Sequence, residues 1–129
     1  MTELQKYIAT YFGISRDDLE KTASLFHEHH LPKGEYYTRI GERCDRLSFV
    51  QSGFLRVFGY SDRKEVTQWI SFQGYFVTDL NSLVFGHSAR RNIQALTDCT
   101  LYTVEGKDYR KMKDVVPAWP EMEKQFIAS

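Results

Sequence analysis

An excess of positive charge is the first thing missing from this sequence: its 129 residues carry seventeen Lys and Arg against seventeen Asp and Glu. Non-specific attraction to nucleic acid rests mainly on a positive field, so DNA binding by this stretch alone is not expected. Cysteine is scarce as well. Cys44 and Cys99 lie far apart with no C-x-x-C spacing, which argues against a zinc ribbon, a redox motif or a disulfide scaffold. No apolar run approaches the ~20 residues of a membrane span, and Met1-Thr2-Glu3-Leu4-Gln5-Lys6 turns polar too early for a signal peptide. The expectation is a cytoplasmic protein without a membrane partner. Gly, Pro and Ser form no tract that would mark a linker, and the length suits one domain with its own core.

What the sequence does have is an aromatic share of 15% beside an ordinary charged share of 26%. Leu4, Tyr7, Ile8, Tyr11 and Phe12 follow the three-four spacing of one helical face, and Gly13 stops the run. Ser15 with Asp18 resembles a capping box, after which Leu19, Ala23 and Phe26 continue a second helix as far as Leu31-Pro32. From Gly34 the period shortens. Runs at 35–40, 46–51, 54–60, 65–72, 92–95 and 99–104, punctuated by Gly34, Gly41, Gly53, Asp62 and Gly74, predict an antiparallel β-roll or jelly roll and not βαβ units. Tyr109, Met112 and Val115/Val116 predict one helix over 107–116, and a last helical segment follows Pro117 and Pro120 from Glu121. The fold expected is mainly β with flanking helices: helices over 1–31, a roll over 34–104 and helices over 106–129.

Most aromatics of the middle strands (Phe54, Phe58, Tyr60, Trp69, Phe72, Tyr75, Phe76) are expected in the core, Phe76 and Trp69 foremost. His27-Glu28-His29-His30 is the one histidine cluster; on a helix His27 and His30 would share a face while His29 points elsewhere, a poor metal set. No Ser/His/Asp or Cys/His arrangement stands out, so no catalytic residue is assigned and an enzyme is not expected.

The most informative stretch runs from Gly74 to Ala95. Thr78 or Asp79 can cap a short helix whose Leu80, Leu83 and Val84 face the core, and the helix amides with Arg90 and Arg91 offer an anion site. Together with Gly41-Glu42, the Ser52-Gly53 turn and the strand ending in Gln94-Ala95, this order resembles the cyclic-nucleotide-binding sensor domain of Crp/Fnr transcription regulators over about residues 30–116. The resemblance implies a phosphate-binding cassette, G-E-L followed by R-S-A or R-T-A, in which the glutamate binds the ribose hydroxyl and the arginine the cyclic phosphate. Here Asp79 takes the glutamate's place and Thr78 that of the glycine before it. Counted back from Ala95, Ala89 falls at the arginine, with Arg90 and Arg91 displaced by one and two residues; only Arg91 keeps the strand parity.

The resemblance thus implies a site of Gly74, Phe76, Thr78, Asp79, Leu80, Arg90 and Arg91 for a cyclic nucleotide (cAMP-like) or another small anionic ligand, with no cofactor besides the effector. It also implies that full regulators of this kind form homodimers through a long helix and bind DNA through a winged helix-turn-helix, which is absent from these residues. Two readings stand beside it. In one, Asp79 serves as a cap with the arginines as surface charge, leaving a ligand-free interaction module; in the other, the roll is a cupin-like metal enzyme, for which His87 lacks an H-x-H partner.

Overall fold

The computed structural model describes residues 1–128. Ser129, the last residue of the predicted 106–129 helical segment, lies outside them. Two helices, α1 (Glu3–Phe12) and α2 (Arg16–Ala23), precede the strands β1 (His27–Leu31), β2 (Tyr36–Thr38), β3 (Arg46–Ser52), β4 (Leu55–Ser61), β5 (Lys64–Ser71) and β6 (Phe76–Val77). Helix α3 (Leu80–Phe85) leads to β7 (Asn92–Ala95) and β8 (Cys99–Glu105), and α4 (Gly106–Tyr109), α5 (Met112–Val115) and α6 (Trp119–Ala128) follow. The strands make two antiparallel four-stranded sheets, ordered β1-β8-β3-β6 and β2-β7-β4-β5, the β-roll that the glycine-punctuated runs predict.

Side chains from both sheets fill the space between them: Leu31, Val50 and Leu101 from one, Leu55, Val57 and Ile93 from the other. The first sheet is also covered on its outer face. Leu47, Phe49 and Val104 pack there against Ile8, Phe12, Leu19, Met112 and Phe126 of the helices. Four consecutive residues of β3, Leu47 to Val50, are therefore fully buried, which is why β3 shows no clean apolar-polar alternation. The polar member of the run, Ser48, is satisfied by Tyr37 Oη at 2.8 Å and Thr103 Oγ1 at 2.7 Å.

Several expectations are corrected. The second helix ends at Ala23, and His27–Leu31 is a strand paired to β8 from His27↔Thr103 to Leu31↔Cys99. Pairing along a sheet edge outweighs the short helical period of the sequence, and β-branched and aromatic neighbours on β8 supply the cross-strand contacts. The histidines thus alternate across a strand, where His30 lies 3.7 Å from Glu28 and His27 3.7 Å from Glu105. Among the described residues no three His, Cys, Asp or Glu side chains converge as a metal set. The capping box belongs to α1: Thr2 Oγ1 accepts the Gln5 N–H and Gln5 Oε1 accepts the Thr2 N–H, both at 3.1 Å. Ser15 makes no side-chain cap and donates instead to Asp18. The segment 107–116 breaks into α4 and α5, and α6 starts at Trp119 with Pro120 in its first turn, where its missing N–H leaves no bond unmade.

Trp69 is the clearest departure, 47% exposed where a core position is expected. It stands on β5, the edge of the second sheet, whose first seven residues are all exposed. Phe58 is fully buried and Phe76 half-buried, while Phe54, Tyr60, Phe72 and Tyr75 lie at the surface. Among the described residues no helix is long and apolar enough to cross a membrane.

Candidate functional site

The loop between β5 and β7 is held by hydrogen bonds to β3 and to the connection before it. At Gly74, whose φ of +89° suits glycine, the chain turns with reciprocal bonds to β3: the Gly74 N–H donates to Val50 O and the Val50 N–H to Tyr75 O, both at 2.9 Å. Thr78 Oγ1 then donates to Arg46 O at 2.7 Å, and Cys44 N–H donates to Ser82 Oγ at 2.7 Å, fixing the α3 entry to the start of β3 and to the β2–β3 connection. Burial pushes the Cys44 thiol above its ordinary range, so it stays protonated and unreactive. Asp79 is the cap of α3, its Oδ1 accepting the Ser82 N–H at 3.0 Å. Its Oδ2 accepts the Arg90 N–H at 2.9 Å, tying the returning loop to the helix start.

Beside this corner lies a cavity of about 220 Å³. Thr78, Asp79, Leu80 and Asn81 line it from the cassette, Val57 and Ile93 from the second sheet, and Phe76, Trp69 and Arg91 complete it. Trp69 reaches it because its cross-strand partner is Val57, which puts both side chains on one face of the sheet. One residue earlier the ladder slips: Val57 pairs Trp69 but Phe58 pairs Thr67, leaving Gln68 as the extra residue of a bulge. The side chain of Gln68 accepts a hydrogen bond from Arg91 Nε. The Nδ2 of Asn81 is buried without a hydrogen-bond partner and is itself closed off from the cavity that its residue lines.

Of the seven residues singled out in the sequence, Phe76, Thr78, Asp79, Leu80 and Arg91 line this cavity, whereas Gly74 and Arg90 do not. Gly74 packs on the Tyr7 ring, and Arg90 contributes its backbone N–H to Asp79 while its side chain is exposed. Ala89 is 2% exposed and is held to the β2–β3 connection, its N–H donating to Glu42 O and its carbonyl accepting the Gly41 N–H. Aligning on Ser88-Ala89 instead puts His87 in the arginine's place, but His87 is exposed and sits by Phe85, with ring centroids 6.5 Å apart. Trp69, Asn81, Val57 and Ile93 are site residues that sequence reasoning missed; the alternation of β4 and β7 contained the signal for the last two.

Helix α3 is flanked on its other side by a second cavity of about 280 Å³, between Leu83 and Val84 of α3 and Tyr109, Lys113 and Trp119 of the C-terminal helices. Phe76 links the first cavity to α6 directly, packing on Phe126 with ring centroids 4.9 Å apart, and to α1 through Tyr11 at 5.1 Å.

Comparison with known proteins places this geometry. The N-terminal domain of a transcriptional regulator from Streptomyces coelicolor superposes with a TM-score of 0.81 at 18% identity, over 99% of this chain and 91% of that one. The regulatory domain of Toxoplasma gondii PKA with cAMP gives 0.78 at 18%, over 92% of this chain and 46% of that one. The catabolite activator protein of Thermus thermophilus gives 0.75 at 20%, over 92% and 54%. This chain thus spans about half the length of the last two, and at these identities the likeness is one of fold. Among curated protein sequences none matches. The family model for the cyclic nucleotide-binding domain matches residues 28–114, from β1 through α5, and the chain belongs to that family.

Proposed function

We propose that this domain is the non-catalytic effector sensor of a Crp/Fnr-like transcription regulator, acting in the cytoplasm, and that a small anionic ligand occupies the cavity beside α3. The observation that carries the reading is the convergence of Asp79 and Arg91, twelve positions apart in the chain, on one cavity with two aromatic side chains. The cyclic nucleotide is the first effector to try, since the chain belongs to that family and a structural neighbour is solved with cAMP.

A ligand there would be read mechanically. It would touch Phe76, which packs on Phe126 of α6, and α3, whose opposite face borders the second cavity and Tyr109 and Trp119. Binding would bias α3 between two packings against the C-terminal helices, by no more than the ligand's differential affinity for the two. Homodimerisation and DNA recognition are assigned to the regulator as a whole, in line with the zero net charge of these residues.

A second reading, a ligand-free interaction module, is favoured by one feature: Trp69, Ile70, Phe72 and Tyr75 form an exposed apolar group along and beyond the edge strand β5. Calorimetric titration with cAMP and cGMP, with Arg91→Ala as control, separates the two. Binding that the substitution abolishes supports the sensor; no heat with either nucleotide, together with concentration-dependent self-association lost in Trp69→Ser, supports the module.

A further inference from the structure

Resting on the reading of this cavity as an effector site, we infer that its ligand is a small planar aromatic carboxylate, and not a cyclic phosphodiester. The corner where the cassette would receive an anion is already occupied by one of the chain's own. Asp79 is 7% exposed and both its oxygens are engaged, Oδ1 by the Ser82 N–H and Oδ2 by the Arg90 N–H. A phosphate pressed against the same amides would displace these bonds and meet like charge where water is scarce.

The positive charge lies elsewhere. Among the described residues lining the cavity, Arg91 is the single cation, and it stands at the exposed edge. Its Nε is held by Gln68 on the β5 bulge, which leaves the two terminal nitrogens for a ligand. A guanidinium fork presented that way suits the two oxygens of a carboxylate. The rest of the lining is apolar or flat: Val57 and Ile93 are 2% and 1% exposed, and Trp69 spends its indole N–H on Ser71 Oγ at 3.1 Å, so it offers a ring face and no donor. At about 220 Å³ the cavity is smaller than the ~300–1,000 Å³ usual for drug-sized ligands, which fits one ring or two fused rings.

The test titrates the full chain with benzoate, indole-3-carboxylate and quinoline-2-carboxylate, with the carboxamide of each, and with cAMP. At least one acid should bind about tenfold or more tighter than its amide. Arg91→Gln should bring acid and amide to the same affinity. Tighter binding of cAMP than of every acid, lost in Arg91→Gln, would overturn the inference and keep the effector reading. Equal affinity for acid and amide in the unmodified chain would overturn the inference and, with it, the anionic ligand of the effector reading. Silence to all of these ligands would overturn both.

Discussion

Asp79 accepts the Arg90 N–H at 2.9 Å while capping α3 through its other oxygen, so one buried carboxylate holds the start of the cassette helix and the end of the loop that follows it. Asp79→Ala removes a helix cap and leaves the Arg90 N–H without its acceptor, while the Ser82 N–H keeps the Asp79 carbonyl at 3.1 Å, and should cost about 1–3 kcal/mol in urea unfolding. Asp79→Asn keeps an acceptor oxygen and should cost less. Hydrogen exchange should show the loss concentrated in 80–91; an unchanged Arg90 amide would refute the tether.

Arg110 donates from both terminal nitrogens to Asp45, at 2.9 and 3.1 Å, and these bonds hold the Asp45 carboxyl below its ordinary range. A carboxyl depressed in the folded state contributes stability above its unfolded value and loses it as pH falls through the folded one. The partners are 50% and 40% exposed, so screening keeps the contribution below about 1 kcal/mol. Arg110→Ala should return the Asp45 carboxyl to the ordinary range in an NMR titration. Its stability deficit at neutral pH should fade in 1 M salt, roughly a 3 Å screening length, and vanish on acidification below both values.

The roll was legible because glycine turns and short apolar runs report local backbone chemistry, and the period of six to twelve residues does not suit βαβ units. The cassette's outline was legible for the same reason: Asp79 ahead of an apolar Leu80/Leu83/Val84 face marks a cap. What stayed hidden depends on position in the sheets. Trp69 looks like a core residue until β5 is known to be an edge, and Gln68 acquires a role only through a bulge that shifts register between Val57 and Phe58. His27–Leu31 reads as the end of a helix because its partner, β8, lies some seventy residues away, and no local signal reports so distant a pairing.

Gly53 turns the chain between β3 and β4 at φ +98°, and a Cβ there would come within 2.5 Å of Asp98 O and 2.7 Å of Cys99 Sγ. Gly53→Ala combines a left-handed backbone with overpacking against main chain that cannot move aside, and should cost about 3 kcal/mol. A thermal shift of a few degrees or less would show that the turn relaxes instead.

Phe126, 1% exposed, packs on Phe12 at 4.3 Å and on Phe76 at 4.9 Å, so α6 is anchored to the same side chain that lines the first cavity. Phe126→Ala should cost about 3–5 kcal/mol, most of the stability of a small domain, and report only on packing. Phe126→Leu, nearer in volume, should stay folded at a cost of about 1 kcal/mol and is the more informative variant. If Phe76 transmits occupancy to α6, this variant should retain ligand affinity within about tenfold yet lose the ligand-dependent protection of the 119–128 amides in hydrogen exchange. Protection that persists undiminished would place the route through α3 and Tyr109, whose hydroxyl donates to Glu123 of α6 at 2.7 Å, and Tyr109→Phe would then be the substitution that uncouples the helix.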